Sequence, residues 1–109
     1  MLDSAANGLS LHIEQRNQES LPKEFLLEQN YPNPFNPSTI IRYELPKSEH
    51  VVLKVYDITG REIATLVNTT QGAGYKEISW NASDLATGIY FYRITAGTFT
   101  NVKKMMLVK

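Results

Sequence analysis

The side chains able to do chemistry are few and dispersed. His12 lies in a polar stretch and His50 beside a turn at the start of an alternating segment, and neither has an acid or a nucleophile as a sequence neighbour. Both are expected in solvent. The carboxylates of Glu44, Glu49, Asp57, Glu62, Glu77 and Asp84 fall where solvent-facing or turn positions are expected, and no spacing forces two of them together. There is no cysteine, which excludes a thiol nucleophile, a disulfide framework and a thiolate metal site but leaves the redox compartment open. No His-Glu-x-x-His pair, glycine-rich phosphate loop or Gly-x-Ser-x-Gly elbow occurs. The expectation is a non-enzyme with no catalytic, cofactor-binding or metal-binding residue, no cofactor and no small-molecule substrate.

Other residue groups point to recognition instead. Asn68-Thr69-Thr70 and Asn81-Ala82-Ser83 fit the N-glycosylation pattern, but Asn and Ser are ordinary turn residues and are read as such. Tyr31, Phe35, Tyr56, Tyr75, Tyr90, Phe91, Tyr92 and Phe99 could form a sugar-stacking platform, yet their period-two placement is explained more economically by strand packing. From Ala96 onward the chain carries Lys103, Lys104 and Lys109 and no acid, around the apolar run Met105-Met106-Leu107-Val108. Composition reads this as a last strand docked on the core, with lysines guarding its edge. The functional alternative is capture by a partner, through strand addition or through the basic tip.

These residues are positioned by a chain of 109 residues with 11 basic and 11 acidic side chains. Its length supports one core, burying roughly 60–70% of the unfolded surface. The cancelled charge gives no long-range field for phosphate backbones, so nucleic acid is not an expected partner. No apolar run reaches bilayer-spanning length, and Met1-Leu2-Asp3 does not begin a signal peptide, so any export address is expected elsewhere or already removed.

Residues 1–20 are polar, apart from the alternating Leu9, Leu11 and Ile13, and read as a tail or linker. Residues 21–109 read as the folded domain. At their head stands Asn30-Tyr31-Pro32-Asn33-Pro34-Phe35-Asn36-Pro37, where three prolines remove donors and exclude helix, and short Asn side chains hold turns. The segment is expected to be an ordered, kinked loop with Tyr31 and Phe35 as apolar anchors. Before it, Lys23–Glu28 predicts an edge strand.

Beyond it, strands are expected over Thr39–Leu45 and His50–Asp57, with Ile41, Tyr43 and Leu45, then Val51, Leu53 and Val55, on their inner faces. Asp57-Ile58-Thr59-Gly60 predicts a tight turn with Gly60 at positive φ, followed by a hairpin partner over Arg61–Val67. Ile63 and Leu66 fall out of phase there, which implies a bulge or an end to regular pairing. Asn68–Gly74 is expected as a loop, Tyr75–Trp80 as a strand, Ile89–Thr95 as a central strand and Phe99–Val108 as the last. Leu85-Ala86-Thr87-Gly88-Ile89-Tyr90 has the parts of a tyrosine corner, with Gly88 making the turn and Trp80 filling the core nearby. Short strands with evenly spaced turns predict an all-β, seven-stranded immunoglobulin-like antiparallel sandwich with Greek-key connections.

Residues 21–109 also resemble a known family. The carriers are Leu21-Pro22 with Phe25 and Leu27, Gln29 through Pro37, Thr39-Ile40-Ile41, Leu45-Pro46, Val55-Tyr56-Asp57, Gly60-Arg61-Glu62, Gly74, Trp80, Gly88-Ile89-Tyr90-Phe91-Tyr92-Arg93 and Lys104 through Lys109. Together they are similar to the C-terminal sorting domains of type IX secretion cargo, type A. The resemblance implies an immunoglobulin-like module ending a large exported protein of Bacteroidota-like bacteria. Its address would be read by an outer-membrane translocon, so that the parent passes through the periplasm to the cell surface or medium. A surface sortase would then remove the module, releasing the cargo or joining it to lipopolysaccharide. Carried onto this chain, the sorting signal is Lys103, Lys104, Met105, Met106, Leu107, Val108 and Lys109. The Asn30–Pro37 loop, Gly60, Gly88 and Tyr90 define shape, and the cut falls within residues 1–20, the linker to the upstream cargo, where small residues such as Ser4-Ala5-Ala6-Asn7-Gly8 are accessible. The alternative function is a non-catalytic binding or spacer module that contacts a glycan or a neighbouring domain.

Overall fold

A computed structural model describes residues 21–109; the segment 1–20, with its alternating patch and the expected cut, lies outside the described residues. The chain forms β1 (Leu26–Leu27), β2 (Ser38–Leu45), β3 (Glu49–Tyr56), β4 (Glu62–Gln71), β5 (Gly74–Asn81), β6 (Gly88–Ala96) and β7 (Phe99–Leu107). They make two antiparallel sheets, ordered β1-β2-β5 and β4-β3-β6-β7. This is a seven-stranded immunoglobulin-like sandwich whose chain changes sheet between β2 and β3, β4 and β5, and β5 and β6.

Alternation decides which residues meet between the sheets. Ile41, Tyr43 and Leu45 face Val51, Leu53, Val55, Tyr90, Tyr92, Ile94, Met105 and Leu107 in one core, each almost wholly buried. The expected inner faces of β2 and β3 are therefore the observed ones, and β6, which turns Tyr90, Tyr92 and Ile94 inward, lies between β3 and β7 as a central strand. Phe25 stacks on Phe99 at 5.3 Å between ring centroids, tying the chain that enters β1 to the start of β7.

The turn and the bulges fall where the residues place them. Asp57 accepts from the Thr59 and Arg61 amides at 2.9 and 3.0 Å, and Gly60 takes φ +89° while its amide donates to the Asp57 carbonyl at 2.9 Å. In the β3–β4 ladder, Leu53 pairs with Val67 and Lys54 with Thr65, then Val55 with Ala64 and Tyr56 with Glu62. Leu66 and Ile63 are thus the two extra residues, so the phase slips mark bulges and the pairing continues past both.

Three expectations are corrected. Asn68–Gly74 is not a loop: β4 continues to Gln71, pairing Asn68, Thr69, Thr70 and Gln71 with Val52, Val51, His50 and Glu49. This segment is polar on both faces because it runs along a sheet edge, and its last residue crosses between sheets, Gln71 Oε1 accepting from the Tyr43 hydroxyl at 2.6 Å. Tyr31 is no anchor, being 72% exposed. Its backbone bridges Ile40, which turns Asn30 inward and Tyr31 outward. Gly88 takes no left-handed φ, and a Cβ there would meet nothing within 4 Å, so its surroundings do not demand glycine.

The tyrosine corner is present. The Tyr90 hydroxyl donates to the Ala86 carbonyl at 2.6 Å, and its ring meets Trp80 edge-on at 6.4 Å. Tyr90→Phe strands that carbonyl beside a nearly buried ring and is expected to cost about 1–3 kcal/mol, read as a lower urea midpoint at unchanged m.

Candidate functional site

Among the described residues, side-chain and loop hydrogen bonds gather where the Asn/Pro loop lies against β7. A loop with three prolines can form few ladder bonds, so its remaining amides must find other partners. The Asn30 amide donates to the Tyr92 hydroxyl at 2.7 Å, the Tyr31 amide to the Ile40 carbonyl at 3.0 Å, and the Phe35 amide to the Met106 carbonyl at 2.9 Å. Tyr31-Pro32, Asn33-Pro34 and Asn36-Pro37 are cis.

Asn30 is the loop's internal staple. Its side-chain amide donates to the Pro32 carbonyl at 3.1 Å and to Thr39 Oγ1 at 2.9 Å, and its Oδ1 accepts from Gln29 at 2.7 Å. Thr39 Oγ1 donates onward to the same Pro32 carbonyl at 2.8 Å. Asn30 and Thr39 are the two buried polar residues among those described, and none of the buried polar side-chain atoms lacks a partner. That is the condition for a dry polar network to hold one conformation.

The same loop occupies the outer edge of β7. Gln29 Nε2 donates to the Lys104 carbonyl at 2.6 Å, the Met106 amide to Asn33 Oδ1 at 3.0 Å, and the Val108 amide to the Phe35 carbonyl at 2.9 Å. Phe35 thereby makes a parallel bridge with Leu107. Its ring is 2% exposed and sits 5.9 Å from Trp80. Beyond the strand, the Lys109 amide donates to Thr87 Oγ1 at 3.1 Å and Nζ to the Ser83 carbonyl at 2.6 Å. The edge of β7 and its extension, from Lys104 to Val108, is therefore closed mainly by backbone and amide groups of the loop, where composition read lysines as its guard. Strand addition there would have to displace the loop.

Strand parity divides the expected signal residues. Met105 and Leu107 are core residues, 1% and 0% exposed, and Lys103 shares their inward parity and is half-buried. Lys104 and Met106 face outward from β7, and Val108 and Lys109 are exposed beyond its end. Of the shape-defining set, Asn30, Pro32, Asn33, Phe35, Gly60 and Tyr90 hold identifiable contacts or conformations, whereas the Tyr31 side chain projects into solvent. Composition alone missed the Tyr92 hydroxyl, which accepts from the Asn30 amide and donates to the Glu28 carbonyl at 2.6 Å. The available signal was a tyrosine at an inward position of a central strand, whose hydroxyl must be satisfied away from water.

Elsewhere the titratable groups do not converge. His50 is exposed, with Nε2 2.8 Å from Asn68 Oδ1 and Nδ1 3.4 Å from Thr70 Oγ1. Asn81 Oδ1 accepts from the Ser83 amide at 2.8 Å, the turn role read from its sequence. Hydrogen bonding from Thr59 holds the Asp57 carboxyl below its ordinary range, and the bond from Lys54 does the same for Glu62. Among the described residues no group of three His, Cys, Asp or Glu is placed to hold a metal.

The family described as "Secretion system C-terminal sorting domain" matches residues 29–109. No curated protein sequence matches the chain. Dimeric latent PorU from Porphyromonas gingivalis shares 24% identity with it at a TM-score of 0.58, over 77% of this chain and 9% of that one. PorZ, an essential bacterial surface component of the type-IX secretion system of the same organism, shares 22% identity at a TM-score of 0.53, over 74% of this chain and 11% of that one. The likeness to these two proteins is one of fold, since the chain spans about a tenth of their length.

Proposed function

Because the chain belongs to the family of secretion system C-terminal sorting domains, we propose that it carries an attached cargo through a type IX translocon to the cell surface or medium, acting as a folded handle without chemistry of its own. The single observation that supports this most directly is the clasp. Gln29, Asn33 and Phe35 of the family-matched loop bond the β7 edge and its extension, so the two sequence motifs of the resemblance form one surface unit.

On this reading the translocon recognises the outward residues Lys104, Met106, Val108 and Lys109. Met105 and Leu107 serve by holding the strand in register. Passage runs through the periplasm, and a surface sortase then separates the domain from its cargo by cutting within residues 1–20, which serve as the linker to the folded unit 21–109.

The test is a secreted reporter fused to the amino end of this chain in a type IX host. The expected result is surface or extracellular reporter with the chain attached, and cell-retained reporter without it. Deleting Lys103–Lys109 would also remove Met105 and Leu107 from the core, so removing only Val108 and Lys109, which leaves β7 whole, is the sharper truncation. It is expected to cut display strongly while the domain stays folded by circular dichroism. Export of the reporter without the chain would overturn the proposal.

A further inference from the structure

We propose that the outer face of the β4-β3-β6-β7 sheet is a docking surface for an extended protein segment that presents carboxylates at alternate positions beside apolar side chains. The proposal rests on the sorting reading and names the partner chemistry for it.

Register fixes what this face displays. One row across the strands is Glu62, Tyr56, Phe91 and Lys104; the next is Thr65, Lys54, Arg93 and Val102; Ile89 pairs with Met106 beyond them. All have the parity opposite to buried Tyr90, Tyr92, Ile94, Met105 and Leu107. The water-facing side of an antiparallel sheet is ordinarily polar. Here Tyr56, Phe91, Ile89, Val102 and Met106 form an apolar tract, with Val102 49% and Met106 40% exposed.

Two shallow depressions break the tract. One is lined by Tyr56, Gly60, Phe91, Arg93 and Val102, and the other includes Asn33, Pro34, Ile89, Lys104 and Met106. Each combines apolar walls with one cation. Lys54 is paired with Glu62 at 3.1 Å, and the Arg93 charge reaches the same carboxylate from farther off, but neither Arg93 nor Lys104 has a carboxylate within ion-pair distance among the described residues. The Arg93 guanidinium instead lies 4.9 Å from the centroid of the Tyr56 ring, an arrangement that leaves its edge N–H groups open to a planar carboxylate. The outer face of the other sheet differs, for Arg42 is paired with Glu77 there at 3.2 Å and Glu44 stands beside it.

The spacing selects a protein occupant. Arg93 and Lys104 are diagonal neighbours on adjacent strands, a placement that sets their Cα atoms about 7–8 Å apart. That is close to the two-residue repeat of an extended chain, about 6.6–6.8 Å. A polyanionic membrane or nucleic acid would call for a denser cluster of cations without aromatic walls. Because the loop already occupies the adjoining strand edge, docking is face-on through side chains rather than by backbone pairing.

The experiment places a photo-crosslinking p-benzoylphenylalanine at Val102, and at Tyr75 on the opposite sheet as control, in the reporter fusion expressed in a type IX host. The expected result is a discrete protein adduct from position 102 only, with the crosslinked peptide acidic and apolar. The pair R93E/K104E should reduce adduct and surface display together by about tenfold without lowering the melting temperature. Should that reversal unfold the domain, R93Q/K104Q takes its place. Undiminished adduct or display in the folded variant overturns the surface, as does an adduct to a second copy of this chain. Binding of the purified chain to phosphatidylglycerol vesicles that R93E/K104E abolishes overturns it too, because it assigns the face to a membrane. Failure of the unsubstituted fusion to be exported would instead count against the sorting reading, so the two failures are distinguishable.

Discussion

Replacing Phe35 by alanine is expected to destabilise the domain by about 3–5 kcal/mol, the range for truncating a buried phenylalanine. The ring is 2% exposed, packs against Trp80 and is the one side chain through which the Asn/Pro loop enters the core. A domain of this size has about 5–15 kcal/mol to lose. The variant is therefore expected to fold with a much lower urea midpoint. The effect should also be spatially selective. The Phe35 carbonyl accepts from the Val108 amide and Asn33 Oδ1 from the Met106 amide, so loosening the loop exposes both amides to solvent. Hydrogen exchange at Met106 and Val108 should accelerate before exchange in the β3–β6 ladder does. A loss of only about 0.5 kcal/mol, the size of an ordinary surface substitution, would mean the loop is not pinned by this ring.

What the sequence made legible is what strand periodicity and turn chemistry encode locally. Alternation located the inner faces of β2 and β3, Asp57 and Gly60 located a turn, and the phase slips of Ile63 and Leu66 marked where the β3–β4 pairing is irregular. The Tyr90 corner could be read because its hydroxyl and its acceptor carbonyl lie four residues apart. Less legible was anything decided by a distant partner. Asn68–Gln71 looks like a loop by composition and becomes strand because the start of β3 lies alongside it. Tyr31 and Phe35 are both aromatics in a proline-rich block, and nothing local distinguishes the exposed one from the buried one. Their difference follows from a bridge to Ile40 at one point and to Leu107 at another.

The candidate site divides in the same way. Its motifs were visible as two separate stretches of sequence, but their contact was not, since Gln29 and Lys104 are 75 residues apart and no periodicity links them. That contact changes what the terminal residues can do. With the edge of β7 occupied, its information is displayed by outward side chains, and those side chains belong to a sheet face that also carries Phe91, Arg93 and Tyr56. A sorting signal confined to the last residues and a signal spread across a sheet face predict different effects of Arg93, which stands opposite Val102 yet belongs to β6.

Tyr92→Phe removes a single oxygen and is expected to cost about 2–4 kcal/mol, because two backbone groups lose their partner at once. The hydroxyl donates to the Glu28 carbonyl and accepts from the Asn30 amide, joining the end of β1 and the start of the loop to the central strand. Tyr92 is fully buried and Asn30 is 2% exposed, so the Asn30 amide has little access to replacement water. Alkaline titration gives a second, independent reading of the same group. Burial pushes its phenol up to about 12 from an ordinary 10.0, the Asn30 amide drawing it partly back and the Glu28 charge raising it further. The unfolded chain thus releases this proton near pH 10 while the folded chain holds it to about 12, so the folded state binds more protons in that interval. Its contribution is complete below pH 10 and is lost as pH rises toward 12. Burial raises the Tyr43 phenol too, which adds to the fall in the same direction. Tyr92→Phe should therefore lower the urea midpoint at pH 7 and flatten its decline between pH 10 and 12, leaving the part that Tyr43 supplies. A variant that loses stability at neutral pH but keeps the full alkaline decline would show that the oxygen matters through packing alone.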